Sequence, residues 1–154
     1  EDRVRRVLLR YIGSGARVLE VGTGDGVTAY LLARQGNRVL SVDVSQVALE
    51  RARARWGGEP NLFLRYEFGD ARALPYPPGS FDYVVSENLV EHISLEDMRA
   101  HLAEVRRLLA PGGCYLLYTP SRLWGGPRRG STSTYTPWAS CAPSCALAVF
   151  APLG

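Results

Sequence analysis

An open, mainly parallel α/β sheet wound with helices is the fold class this sequence predicts, on three observations. Val18-Leu19-Glu20-Val21 is a short, largely apolar run that stops in Gly22-Thr23-Gly24-Asp25-Gly26, and a helical pattern follows at once from Thr28 to Gln35. That is a buried strand, a tight turn and a helix in succession. Short apolar runs then alternate with helical patterns as far as about Thr119. The second of these runs, Arg38-Val39-Leu40-Ser41-Val42-Asp43, ends in an acid, at the carboxyl end of a strand, where such sheets bind ligands.

Composition sets the outer bounds. The 154 residues suit one domain, and 46% hydrophobic residues are enough for a core. The net charge of +3 is too weak to argue for a nucleic-acid partner. No apolar run reaches membrane-spanning length and no signal-peptide pattern opens the chain. The three cysteines, Cys114, Cys141 and Cys145, come late, and no histidine follows the last pair. The odd count argues against a disulfide framework, and zinc is not expected. The expected setting is the reducing cytoplasm.

Taken in order, Arg3 to Ile12 reads as an amphipathic helix with Val4, Val7, Leu8 and Tyr11 as its apolar stripe. Gly13-Ser14-Gly15 ends it. After the first strand and its helix, Gly36-Asn37 turns the chain into the second strand. Ser45 caps a helix over Gln46 to Trp56, with Val47, Leu49 and Ala54 inward and Arg51, Arg53 and Arg55 solvated. Leu62 to Phe68 is a third strand by alternation of Leu62, Leu64 and Tyr66, and it runs into Gly69-Asp70-Ala71. The loop Leu74-Pro75-Tyr76-Pro77-Pro78-Gly79-Ser80 is stiffened by its prolines. Phe81 to Ser86 is the fourth strand. Ser94-Leu95-Glu96-Asp97 opens a helix whose stripe is Leu95, Met98, Leu102, Val105 and Leu109, with His101 beside it in solvent. Pro111-Gly112-Gly113 stops it, and Cys114 to Thr119 is a fifth strand.

The glycine spacing narrows the ligand. A dinucleotide turn needs a small third residue at position 27, where Val27 stands, and no Lys-Ser/Thr pair is present to cradle a triphosphate. Glu20 ahead of the turn suits a ligand with positive charge. Asp43 is placed to accept from the two hydroxyls of a ribose, which does not by itself separate one ribose cofactor from another.

Taken together, Glu20 with Gly22-x-Gly24-x-Gly26, the run Gly69-Asp70-Ala71, Leu74-Pro75, Gly79-Ser80-Phe81-Asp82, and Leu108-Leu109-Ala110-Pro111-Gly112-Gly113 resemble the class I S-adenosylmethionine-dependent methyltransferases. The likeness is strongest to small-molecule enzymes of the ubiquinone/menaquinone-biosynthesis type, and it covers about residues 14 to 120. It implies a Rossmann-like, doubly wound sheet of strand order 3-2-1-4-5, with S-adenosylmethionine as cofactor and S-adenosylhomocysteine as product. It implies that Glu20 holds the ammonium end and that Gly22, Thr23, Gly24 and Gly26 pass beneath the methionine and ribose. Asp43, with Val44 beside it, then holds the ribose. Asp70 accepts from the adenine amine, and the Ala71 amide donates to a ring nitrogen. Ser86, Glu87 and Asn88 face the transferable methyl.

On the acceptor side, no Asn/Asp-Pro-Pro-aromatic motif follows the fourth strand, which argues against adenine or glutamine methylation. No cysteine lies there for covalent attack on cytosine. His92 is the catalytic candidate, as a base for an acceptor hydroxyl. Two alternatives stand beside it. Glu91-His92 can simply open a helix, or it can be the remnant of a Glu-x-x-Glu-His metal pattern, which Asn88 breaks; no metal is expected. A small-molecule acceptor is favoured. The alternative function is an inactive S-adenosylmethionine-binding module or partner subunit, and a nicotinamide enzyme is disfavoured by Val27 and Asp70.

The division expected is a cofactor domain over 1–120 and an atypical segment over 121–154. From Cys114 onward the chain has no acid. Tyr135-Thr136-Pro137 resembles the start of the family's next helix, and Cys145 to Phe150 is at most a short strand or helix turn. A frame shift or truncation after Pro137 would leave the antiparallel edge atypical and the fifth strand unpaired, favouring a homodimer through that edge.

Overall fold

The structure, a computed structural model, describes residues 2–89, 92–118, 136–141 and 145–150, with side chains over 4–89 and 92–118. In chain order the elements are α1 (Asp2–Ile12), β1 (Arg17–Val21), α2 (Val27–Arg34), β2 (Arg38–Asp43), α3 (Gln46–Trp56), β3 (Leu64–Phe68), β4 (Phe81–Glu87), α4 (Leu95–Leu108), β5 (Leu109–Tyr118), β6 (Thr136–Cys141) and β7 (Cys145–Phe150). The sheet runs β3-β2-β1-β4-β5-β7-β6. Its first five strands are parallel, in the order 3-2-1-4-5 that the resemblance implied.

Side-chain alternation along the central strands builds two cores. Val18, Val85 and Leu116 face Leu8, Ile12, Leu32, Leu49 and Ala52 of α1, α2 and α3. Leu19, Val84 and Leu117 face Val105 and Leu108 of α4, together with Leu74 of the proline loop. The helix after β1 and the helix after β4 therefore lie on opposite faces. A crevice opens between these strands at their carboxyl ends, where connections diverge.

Three helices sit at a different rotation from the one their apolar residues suggest. In α1 the buried row is Leu8 and Ile12, with Val4 packed against it, whereas Val7 and Tyr11 are exposed. The sheet takes the i, i+4 row and leaves the neighbouring row to solvent. In α3, Leu49 and Ala52 are buried and Val47 and Ala54 are exposed. Arg53 is exposed, as expected, and also reaches the Tyr66 carbonyl at 3.1 Å. In α4, Leu95 is 73% exposed and Leu102 is also exposed, whereas His101 is fully buried with Val105 and Leu108. Burying His101 is feasible because both ring nitrogens have partners, Nδ1 with the Ala71 carbonyl and Nε2 with the Tyr115 hydroxyl.

Two expectations for the far edge are corrected. β5 is not a free edge, because Cys114–Tyr118 pairs in parallel with Ala146–Phe150 of β7. The apolar run Cys145–Phe150 is a full strand, so the reason given for an edge dimer is absent. Thr136 and Pro137, expected to start a helix, belong to β6, which pairs antiparallel with β7. As the outermost strand, β6 can hold a proline without breaking an inner ladder. Among the described strands only this last pair is antiparallel. Tyr135, Val90 and Glu91 lie outside the described residues. Among the described residues, no helix is long and apolar enough to cross a membrane.

Candidate active site

The glycine turn is pinned from below. Gly22 donates its amide to the Val42 carbonyl at 2.9 Å, and the Thr23 amide donates to Asp43 Oδ2 at 2.9 Å. Asp43 Oδ1 accepts from the Ser45 amide at 2.8 Å. One carboxylate thus ties the turn after β1 to the start of α3. Gly22 and Gly26 both have positive φ, +88° and +74°, but they serve different surfaces. A Cβ on Gly22 would meet only Leu89 Cδ1, at 3.8 Å, so this backbone stays open to a ligand. A Cβ on Gly26 would lie 2.6 Å from the Ala52 Cβ. Gly26 therefore packs α2 against α3 rather than facing the crevice.

The crevice has two lobes. One, of about 410 Å³, is lined by Glu20, Thr23, Gly24, Glu87, Asn88 and His92, with Arg5, Asp25 and Thr28 around its rim. The other, of about 270 Å³, is lined by Val44, Gly69, Asp70, Ala71, Ile93 and His101 among others. Gly22, Asp43 and Leu89 line both.

The first lobe is acidic. Glu20 is 3% exposed and accepts from the Ser41 hydroxyl, which in turn bonds Thr23 Oγ1 at 2.7 Å. Burial pushes the Glu20 carboxyl up to about 8, and the nearby Glu87 and Asp25 add to the rise. Arg5 reaches over from α1 to Thr28 Oγ1 at 3.0 Å, with Asp25 at 3.6 Å and Glu87 at 3.9 Å. Glu87 also accepts from Thr28 Oγ1 at 2.7 Å. Asn88 has φ +54°, and its amide donates to the Tyr118 carbonyl at 2.9 Å. Its Oδ1 is buried and has no hydrogen-bond partner among the described residues. A buried acceptor of that kind suits a ligand that brings a donor. His92 is exposed on the same lobe, its amide bonded to the Leu89 carbonyl at 3.0 Å.

The second lobe is held by a network that the sequence reading missed. Arg72 forks onto Asp70, with Nη2 to Oδ2 at 2.6 Å, and reaches Asp97 on α4 with Nη1 at 2.5 Å. Hydrogen bonds from Arg72 hold the Asp70 carboxyl below its usual range. Asp70 Oδ1 also accepts from the Arg72 amide and Nε, both at 2.9 Å, so any donor a ligand brings here shares the carboxylate with Arg72. Deeper in, Glu104 accepts from the Leu74 amide at 2.7 Å. Arg107 donates to the carbonyls of Leu74 and Tyr76 at 2.9 and 2.7 Å, so α4 grips the proline loop. Ser86 lies beneath the crevice floor, bonded to the Tyr115 hydroxyl at 2.7 Å. The missed signal was the phase of α4. Residues 98, 101, 105 and 108 have the same helical spacing as the more apolar row at 95, 98, 102, 105 and 109.

This crevice, its glycine turn and its acids fit the comparisons with known proteins. A model of the methyltransferase domain matches residues 18–113. The chain belongs to that family, and its sheet is the class I S-adenosylmethionine-dependent form. A Mycolicibacterium smegmatis protein named a probable S-adenosylmethionine-dependent methyltransferase is 36% identical over 116 residues, which are 75% of this chain and 42% of that protein. Among solved structures, the PH0226 protein of Pyrococcus horikoshii superposes with a TM-score of 0.67 at 30% identity, covering 73% of this chain and 52% of that one. Phosphoethanolamine N-methyltransferase 2 of Haemonchus contortus, in complex with S-adenosyl-L-methionine, gives 0.66 at 32% identity, covering 73% and 26%. The chain spans less than half the length of that curated relative.

Proposed function

We propose that this chain binds S-adenosylmethionine along the crevice and transfers its methyl group to a small-molecule acceptor. The observation that carries the reading is Asp43, which stands where an acidic lobe meets a second lobe lined by Asp70 and Ala71. A ribose with two vicinal hydroxyls is the part of the cofactor that joins a cationic amino-acid end to a base. Glu20, Glu87 and the free Asn88 Oδ1 suit the ammonium and sulfonium. Asp70 and the Ala71 amide suit the adenine edge. Four acids against Arg5 and a histidine favour a cationic ligand over a pyrophosphate.

Held by Glu20, Asp43 and Asp70, S-adenosylmethionine would supply an electrophilic methyl for the acceptor's lone pair, with the carbon–sulfur bond pair returning to sulfur. The protein's part is mainly alignment and exclusion of water. His92, exposed at the lobe, is the proposed base for the proton that an acceptor hydroxyl gives up. A small acceptor is supported by the Haemonchus contortus neighbour, whose name gives phosphoethanolamine as its substrate.

The test is calorimetric titration of the wild type and Asp43→Ala with S-adenosylmethionine, S-adenosylhomocysteine and NADH. Micromolar binding of the first two, absent for NADH and lost in the variant, is the expected result. Binding of none of them by the wild type would overturn the reading.

A further inference from the structure

Resting on that cofactor reading, we propose that His101 is a positioning residue that sets the adenine-reading geometry of Asp70 and Ala71. The peptide joining Ala71 to Arg72 is gripped at both ends. Its carbonyl meets His101 Nδ1 at 3.1 Å, and its N–H, on Arg72, donates to Asp70 Oδ1 at 2.9 Å. In a trans peptide these two groups point in opposite directions. Drawing the carbonyl inward therefore turns the amide outward onto the Asp70 carboxylate. His101 also lines the lobe itself.

The proton positions follow from chemistry. A carbonyl only accepts, so Nδ1 carries the proton. In the neutral ring Nε2 is then an acceptor, so the Tyr115 hydroxyl donates to it at 2.8 Å. With that proton committed, the Tyr115 oxygen accepts from the Ser86 hydroxyl at 2.7 Å. The chain Ser86, Tyr115, His101, Ala71 thus has one direction and fixes the loop to the floors of β4 and β5. Burial holds the His101 pKa below its ordinary value, which keeps the ring neutral.

The test compares S-adenosylhomocysteine with its hypoxanthine analogue, in which a 6-oxo group replaces the amine that Asp70 would accept from. Calorimetry on the wild type should show a preference of about tenfold for the adenine form, the scale of one charge-assisted hydrogen bond. His101→Leu should lose most of that preference. His101→Gln, whose amide can donate to the Ala71 carbonyl and accept from Tyr115, should keep it. A His101→Leu protein that folds and retains the wild-type preference overturns the proposal, whatever its melting temperature. Equal binding of both compounds by the wild type also overturns it, and binding of neither overturns the cofactor reading as well. Nitrogen NMR of the wild type needs no variant: a His101 proton on Nδ1 alone supports the assignment, and one on Nε2 alone overturns it.

Discussion

The two lobes of the crevice meet at Asp43, yet they are held by different physics. The acidic lobe is organised by side-chain charge, with Glu20, Asp25 and Glu87 disposed around Arg5. The proposed adenine-side lobe is organised by backbone held in place, through a peptide between His101 and Asp70 and a proline loop clasped by Glu104 and Arg107. Asp70, the carboxylate proposed to read the base, is already paired with Arg72. Recognition in the first lobe should therefore follow pH, because buried charges interact strongly and respond to protonation. Recognition in the second should follow geometry.

Asp43 belongs to both lobes, and its loss is the largest effect expected. Asp43→Ala removes the acceptor for the Thr23 and Ser45 amides along with the proposed ribose partner. Two charge-assisted bonds to ligand amount to about a hundredfold in affinity, read by titration with S-adenosylhomocysteine. The glycines separate packing from binding. Gly26→Ala, with its Cβ only 2.6 Å from that of Ala52, should cost about 2–3 kcal/mol of stability in a denaturant melt. Cofactor affinity of the remaining folded protein should change little. Gly22→Ala shares the positive-φ strain but meets no clash, so it should cost less stability, about 1–2 kcal/mol, and lower cofactor affinity more. If both variants behave alike, the division between the two glycines fails.

The electrostatic lobe carries a pH prediction. Glu20 has a folded pKa of about 8 against an ordinary 4.5, so the unliganded folded state binds a proton that the unfolded chain lacks between those values. Its contribution to stability is full below about pH 4.5 and is lost as pH rises through about 8. A cationic ligand favours the ionised carboxyl, so binding near pH 7 should release close to one proton. Affinity should then rise by up to about tenfold per pH unit below pH 8. Titrations in two buffers of different ionisation enthalpy count that proton. Glu20→Gln should abolish its release and flatten the pH dependence, whereas His101→Gln should leave both in place.

The same contrast explains what the sequence disclosed. The acidic lobe is largely local: Glu20, Gly22, Thr23 and Gly24 lie within five residues, and Asp43 ends the next strand. Strand alternation and turn residues also carried the order of elements. The adenine-side lobe depends on contacts across about 30 residues, as between Ala71 and His101 or Leu74 and Arg107. No short motif encodes the rotation of α4 that makes them. Hydrophobicity alone chose the row through Leu95 and Leu102, because it gives no weight to a polar residue whose partners arrive from another segment. The far edge escaped for a related reason. Pairing of Cys145–Phe150 with β5 is a register between distant strands, and composition had suggested only a degraded tail.

The smallest effect expected tests that rotation directly. If α4 is phased by His101, Leu102 is a surface residue and Leu102→Ala should cost less than about 1 kcal/mol. If the apolar row instead faced the sheet, the same truncation would cost about 2–5 kcal/mol. Leu108→Ala, from a fully buried position, provides the scale for a core loss on the same helix. A Leu102 cost equal to that of Leu108 would mean that α4 turns its apolar row inward. His101 would then leave the Ala71 carbonyl, and the geometric account of the adenine-side lobe would fall with it. A near-neutral Leu102 beside a costly Leu108 leaves the polar phase of α4 as the feature that holds the lobe in shape.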